Sequence, residues 1–116
     1  MSLDVYLTEL CHCGKPECDK GGEVYSSNIT HNLNRMAEEA GIYKHLWRPE
    51  EIGITKAEQL IQPLSDALKE MQADPERFRK FDASNGWGTY PAFMRFVSEY
   101  LDACKQNPAA IVSASR

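Results

Sequence analysis

Two short alternating segments at the opposite ends of the chain constrain the fold more than any other feature. Leu3, Val5 and Leu7 alternate with polar neighbours, and residues 110–116 alternate in the same way around Ile111. A two-residue period is typical of a half-buried β-strand. Because the apolar repeats between these strands follow a helical period, and because a two-stranded pair is marginal alone, the strands are expected to pair on a helical core. We therefore predict a mainly α (α+β) fold, in which about four helices are closed by a two-stranded ribbon of the N- and C-terminal strands.

The first helix is expected to begin at Ser26 or Ser27, since a serine hydroxyl accepts a bond from the unpaired N–H groups of a helix start. Gly41 is a typical stop signal, and residues 42–47 are expected to continue the helical path at a new angle until Arg48-Pro49. The apolar side chains of this first helix recur with a 3.6-residue period and are Ile29, Leu33, Met36, Ala37 and Ala40.

Two longer apolar stripes predict the main helices. The first follows a capping-box pattern in residues 55–58 and keeps its phase across Pro63, so we predict one kinked helix there. Asp74-Pro75 is expected to begin a short helix, and Thr89 is expected to cap the last one, which ends at Asn107-Pro108. The stripe of this last helix contains Phe93, Phe96, Val97, Tyr100, Leu101 and Cys104.

The composition excludes several classes of protein. With 116 residues, 42% hydrophobic residues and no linker-like stretch, residues 1–116 are expected to form a single domain that holds a loop at 10–24. The net charge of −4 argues against nucleic-acid binding, and no apolar run is long enough for a membrane span. The first residues lack the basic and apolar segments of a signal peptide, so we expect a cytoplasmic location.

The loop at 10–24 contains three of the four cysteines, Cys11, Cys13 and Cys18. In a reducing compartment such a cluster is more often metal-binding or redox-active than disulfide-bonded. A structural zinc site needs four S or N ligands, and His31 or His12 is expected to supply the fourth, with His45 and Asp19 as weaker choices. The spacing departs from the usual Cys-x-x-Cys pair. Unreactive thiols in a surface loop, and a redox role, therefore stay open as alternatives.

Two polar segments are candidates for a binding surface. Asn28, His31, Asn32 and Arg35 would share one face of the first helix, and Trp87 lies between two glycines on a loop. The alternative interpretations, which the residue types favour, are a solvated surface for the helix face and, for Trp87, a lid that folds back onto the core.

The segments VYSSNITHNLNRMAEEAGIYKHLWRP and DASNGWGTY resemble an uncharacterised family of small bacterial and phage-type proteins. The resemblance supplies no activity and implies a phage or mobile-element origin. Because its two segments coincide with the two polar candidates, it favours one joint ligand or partner surface, formed by Asn28, His31, Asn85 and Trp87.

We expect a small accessory or interaction protein with an unidentified protein partner. In this interpretation zinc bound by Cys11, Cys13, Cys18 and His31 would hold the loop to the first helix, since formation of a metal site contributes directly to folding. The alternative is a small metal- or His-dependent enzyme, in which His31 acts as a general base in a pocket near the Trp87 loop.

Overall fold

A computed structural model describes residues 2–9, 22–81 and 88–115. Its strands are Ser2–Glu9 (β1), Gly22–Thr30 (β2) and Ile111–Ser115 (β3). The α-helices of these ranges are Asn34–Glu39 (α1), Tyr43–Trp47 (α2), Glu58–Ala73 (α3), Pro75–Arg79 (α4) and Tyr90–Gln106 (α5). Two 3₁₀ helices, His31–Leu33 and Pro49–Ile52, lead into α1 and out of α2.

The strands form one antiparallel sheet in the order β2-β1-β3, with β1 in the centre. The register pairs Leu3 with Ile29 and Leu7 with Tyr25 on one side, and Leu7 with Val112 on the other. The two terminal strands do pair, but they are two strands of three. The prediction of about four helices closed by a two-stranded ribbon is therefore wrong. The fold is α+β, with five α-helices in the described ranges and a three-stranded sheet.

The additional strand is the segment from which the first helix was expected to start. Ser26 and Ser27 are not caps but the middle of β2, and the helical path begins only at His31. Tyr25, Ser27 and Ile29 alternate with Val24, Ser26 and Asn28, so both patterns are present in the sequence. Pairing with β1 decides between them, because it satisfies the backbone groups of the segment that face β1; the register shifts once, at Val24. Residues 22–24, which were expected to belong to the loop, are the first residues of β2.

All helices with buried residues share one core on one face of the sheet. Leu3, Val5 and Leu7 of β1 are completely buried against this core. The other face is polar, with Asp4, Tyr6 and Thr8 half-buried in its centre. Among the buried helical residues are Leu33, Met36, Leu46, Trp47, Leu60, Leu64, Met71, Phe78, Phe93, Val97 and Tyr100.

The two main helices follow their predicted stripes, and one detail of the capping differs. α3 is one helix with Pro63 inside it, and Thr89 caps α5 by accepting from the Ala92 N–H at 3.4 Å. The expected capping box does not form, because Gln59, rather than Glu58, accepts from the Thr55 and Lys56 N–H groups at 2.8 and 2.9 Å. None of the described helices combines the length and hydropathy that a bilayer crossing needs.

The two edges of the sheet differ. At the β3 edge, residues 55–57 continue the backbone pairing: the Val112 N–H donates to the Thr55 carbonyl and the Ala57 N–H to the Ala110 carbonyl, both at 2.9 Å. At the β2 edge, no backbone hydrogen bond from another described segment reaches residues 22–30. Within the described residues, the β3 edge is therefore paired at residues 110–112, and the outer edge of β2 is unpaired.

Candidate interaction surface

The outer edge of β2 has few of the features that usually block an edge strand. Its nine residues contain one charged side chain, Glu23, and neither proline nor lysine. Proteins commonly protect exposed edges with such residues, because unpaired N–H and C=O groups bind a further strand. Val24 is 37% exposed, which is unusual for a large apolar side chain in the described ranges.

The core-facing side of β2 is incompletely covered. Leu3, Val5 and Leu7 of β1 have no exposure, whereas their partners Ile29, Ser27 and Tyr25 are only partly buried. Burial therefore decreases across one strand spacing of about 4.8 Å. Among the described residues, the core is thus less completely covered at β2 than at β1.

His31 and Trp47 are joined where β2 ends. Thr30 caps the 3₁₀ helix by accepting from the Asn32 N–H at 3.4 Å, and this cap positions His31 at the first helical position. The Trp47 indole N–H, from α2, donates to Nδ1 of His31 at 2.9 Å. Tyr43 stacks on the other side of Trp47, with ring centroids 5.5 Å apart.

The hydrogen bond from Trp47 determines which nitrogen of the neutral His31 ring carries the hydrogen. An indole nitrogen only donates, so Nδ1 must offer its lone pair, and the neutral ring then carries its hydrogen on Nε2. A histidine that acts as a general base or metal ligand needs a free lone pair on one ring nitrogen, while its other nitrogen donates a hydrogen bond. In His31 the lone pair of Nδ1 already accepts from Trp47, and Nε2 carries the hydrogen. His31 is therefore arranged as a hydrogen-bond donor and a structural contact.

The end of the glycine-flanked Trp87 loop reaches the same place. Gly88 has φ +102°, and a Cβ atom there would lie 3.0 Å from Cγ2 of Thr30 and 3.3 Å from Cβ of Asn32. A side chain at Gly88 would thus be both strained and crowded. The two predicted segments do approach each other at Gly88. Asn85 and Trp87 themselves lie outside the described residues, so their part in the surface stays a prediction.

Asn28 lies on β2, opposite Asp4, on the polar face of the sheet. The expectation that Asn28 shares a helix face with His31 and Arg35 is wrong, because the chain is extended up to Thr30 and helical only beyond it. Asn28 remains close to His31 along the chain, but it belongs to the sheet surface.

Cys11, Cys13, Cys18 and His12 lie outside the described residues, so the predicted metal set stays a prediction. The register bears on its fourth member. Residues 10–21 join Glu9 to Gly22 at one end of the β1–β2 pair, whereas His31 follows the other end, about 26 Å away at 3.3 Å per residue. A chain extends by at most about 3.6 Å per residue, so the two residues after Glu9 bring Cys11 only about 7 Å closer. The distance between Cys11 and His31, and the hydrogen on Nε2 of His31, both argue against His31 as the fourth metal ligand.

In the part of the chain that the structure describes, no group of three or more His, Cys, Asp or Glu side chains is placed to hold a metal. Cys104, the fourth cysteine, is completely buried on α5, as its position in the apolar stripe predicted. Burial raises the pKa of its thiol to about 12. This residue is thus a small core side chain in an unreactive form.

One aromatic contact was not foreseen. Tyr25 of β2 stacks on Tyr100 of α5, with ring centroids 5.7 Å apart and planes 11° from parallel. Burial raises the pKa of both phenols, and by more for Tyr100. The apolar stripe predicted Tyr100 in the core. Tyr25 reaches Tyr100 only because residues 22–30 form a strand, where the sequence predicted a loop and the start of a helix.

Comparison with known proteins found no matching family model, no matching curated protein and no matching solved structure. The resemblance to small bacterial and phage-type proteins therefore stays a prediction.

Proposed function

We propose that this protein is a small cytoplasmic accessory protein that binds a protein partner through the open edge of β2. The observation that carries the proposal is the difference between the two edges. Residues 55–57 pair with residues 110–112, at the start of β3, through backbone hydrogen bonds, and no described segment other than β1 pairs with β2. An open edge with a single charged side chain is a surface to which an extended strand of a partner adds, with affinity from backbone hydrogen bonds and specificity from alternate side chains.

The incomplete burial of Tyr25 and Ile29 supports the same proposal. A strand that paired with β2 would place its own side chains beside these two residues and remove their apolar surface from water, which favours association. Asn28 on the polar face and His31 at the end of the strand would offer hydrogen bonds to the same partner. The predicted residues Asn85 and Trp87 would extend this surface, because Gly88 packs on Thr30.

The alternative of a His-dependent enzyme receives less support. Its central residue, His31, receives a hydrogen bond from Trp47 at the nitrogen whose lone pair a base would need. Proton abstraction by His31 would require the ring to change tautomer or lose this bond. The described geometry favours recognition over acid–base chemistry at this position.

A structural zinc site in residues 11–18 remains part of the proposal. Cys11, Cys13 and Cys18 would supply three thiolates, and His12 is the preferred fourth ligand because the distance argument disfavours His31. Such a site would close the connection between β1 and β2, where few apolar residues are available for packing. The chemistry of the site would be structural, since a site closed by four protein ligands leaves no position for a substrate.

Site-specific photo-crosslinking in cells that express the protein tests the interaction. Ser26 on β2 and Ser113 on β3 are matched positions, because both are exposed and both pair with Tyr6 from opposite sides. A photoreactive residue at position 26 is expected to give adducts with a protein, and the same residue at position 113 is expected to give none. Equal adducts from both positions, or no adduct from position 26, would contradict the proposed function.

Zinc content tests the metal site. The purified protein is expected to contain about one zinc per chain, and Cys13→Ser and His12→Ala are expected to lose it. Cys104→Ala and His31→Ala serve as controls and should keep the metal. A protein without zinc whose melting temperature is unchanged by a chelator would remove the site from the proposal. Loss of zinc in His31→Ala would contradict the assignment of the fourth ligand.

A further inference from the structure

We infer that the strand which pairs with the open edge of β2 is β2 of a second copy of this chain, so that two molecules form one continuous six-stranded sheet. This inference rests on the proposed function, because it names the partner of the same surface. It is carried by three properties of β2: the symmetry of its side-chain pattern, the incomplete cover over it, and the position of α5.

The side chains of β2 are symmetric about Ser27. On the core side, Tyr25 and Ile29 lie at equal distances from Ser27, and both are apolar residues that favour strands. On the polar side, Ser26 and Asn28 are both small and polar, and the symmetric segment ends at Tyr25 because the register with β1 shifts at Val24. Two antiparallel copies centred on Ser27 would therefore pair Tyr25 with Ile29 and Ser26 with Asn28.

This register also preserves the two faces of the sheet. Residues directly opposite each other in an antiparallel pair lie on the same face. A centre at Ser27 pairs Tyr25 with Ile29 of the second copy, and both are core-side residues. The contact joins an aromatic to a β-branched side chain, which is a favourable cross-strand pair. The half-exposed residues of one core edge would thus cover those of the other.

Charge does not oppose the pairing. Glu23, the single charged residue of β2, would lie beyond the last strand pair and beside His31 of the second copy, so the two Glu23 side chains stay apart. A two-fold axis pairs a patch with itself, and a strand that is symmetric in pattern meets this requirement directly.

The helices leave room for the second copy. α5 meets β2 at Tyr25, two residues or about 6.6 Å from the proposed axis at Ser27. The two copies of this contact would therefore lie about 13 Å apart along the strands, more than the 8–10 Å that packed helices need. Because one strand pair buries less than the roughly 1,600 Å² of a standard interface, we expect a dimer that dissociates on dilution.

Sedimentation equilibrium over a range of protein concentrations tests the inference. The wild-type chain is expected to shift from 13.1 kDa to twice that mass as the concentration rises. Ser26→Lys introduces a positive charge on each copy beside the two-fold axis and is expected to raise the dimer dissociation constant by about tenfold or more. Ser113→Lys, its matched control on β3, should leave the constant within twofold.

A second measurement does not depend on a variant. A synthetic peptide with the sequence of residues 22–31 is expected to compete with the dimer and return the mass to that of the monomer, whereas a peptide with Ser26→Lys should not. A wild-type chain that is monomeric at every concentration, or equal weakening by Ser26→Lys and Ser113→Lys, would overturn the inference. If a monomeric chain still gives adducts to a different protein from position 26, the proposed function stands and the second copy does not.

Discussion

Two tyrosines on α5 provide a paired test of how this core is held together. The Tyr90 hydroxyl donates to the Met71 carbonyl at 2.7 Å in a buried position. That carbonyl lies near the end of α3, and the residue four positions later is Pro75, which has no N–H to give it. The Tyr100 hydroxyl is also buried, but it has no hydrogen-bond partner among the described residues. The same substitution at the two positions should therefore have opposite effects.

Tyr90→Phe leaves a buried carbonyl unsatisfied, so we expect it to lower the free energy of unfolding by about 1–3 kcal/mol. Since the unfolding entropy scales at about 2.1 cal/mol/K per residue, a chain of 116 residues loses about 4 °C of melting temperature per kcal/mol. The expected decrease is then about 4–12 °C. Tyr100→Phe keeps the stack on Tyr25 and removes a hydroxyl that is buried without a partner, so the change should lie between zero and about 1 kcal/mol of stabilisation.

Urea denaturation followed by circular dichroism measures both variants against the wild type, and equal slopes with urea would show that the same transition is compared. The measurements should be made at one low concentration, so that any self-association contributes equally. A cost below about 0.5 kcal/mol for Tyr90→Phe would refute the assigned role of this hydrogen bond. A Tyr100→Phe variant that loses as much stability as Tyr90→Phe would refute the contrast between the two hydroxyls.

Three further predictions concern single residues. Gly88→Ala should cost about 2 kcal/mol or more in urea denaturation, because φ is +102° and Thr30 lies 3.0 Å from the added Cβ, whereas Gly53→Ala, at φ +75° in open space, should cost about 1 kcal/mol. Cys104 should resist alkylation in the native state at pH 8 and react only after unfolding, as measured by mass spectrometry of its peptide, because burial raises its pKa to about 12. Burial lowers the pKa of His45 from 6.5, so this residue binds protons more tightly in the unfolded chain than in the folded one. Its contribution to stability is therefore present above pH 6.5 and decreases below it. His45→Gln should reduce the slope of unfolding free energy against pH below pH 6.5.

The sequence predicts those elements whose local pattern and tertiary role agree. α3 and α5 have apolar stripes at the helical period, and the stripe of α3 continues through Pro63 as one helix. Thr89 caps α5 because its hydroxyl acts within one turn of chain. Local periodicity is sufficient here because the buried face of each helix contains most of the residues that the pattern selects.

β2 could not be predicted in the same way, because two patterns overlap in it. Ile29 is in phase with Leu33 and Met36 at helical spacing, and it also alternates with Asn28 and Thr30 at strand spacing. Serine and asparagine are acceptable both as helix caps and in strands that are half exposed. Only the pairing with β1 resolves the ambiguity, and that pairing joins residues up to 28 positions apart.

The candidate surface could be predicted only in part, because it also depends on contacts between residues far apart in the sequence. The approach of the Trp87 loop to the His31 segment agrees with the contact of Gly88 at Thr30. The bond between Trp47 and His31 spans 16 residues, and no local signal indicates it. The open edge had no signal either, because an edge exists only once the order of the strands is known.

Residue-resolved amide hydrogen exchange along residues 22–30 tests the central claim, that β2 is a strand with one open edge, most directly. In an antiparallel edge strand alternate N–H groups bond to the neighbour and the others point outward. We predict that in dilute protein one set is protected and the other exchanges, with a break in the alternation at Val24, while residues 4–8 of β1 are protected because they pair on both sides. The exchanging set should become protected as the concentration rises. Uniform protection of 22–30 in dilute protein, or no protection at all, would contradict the account.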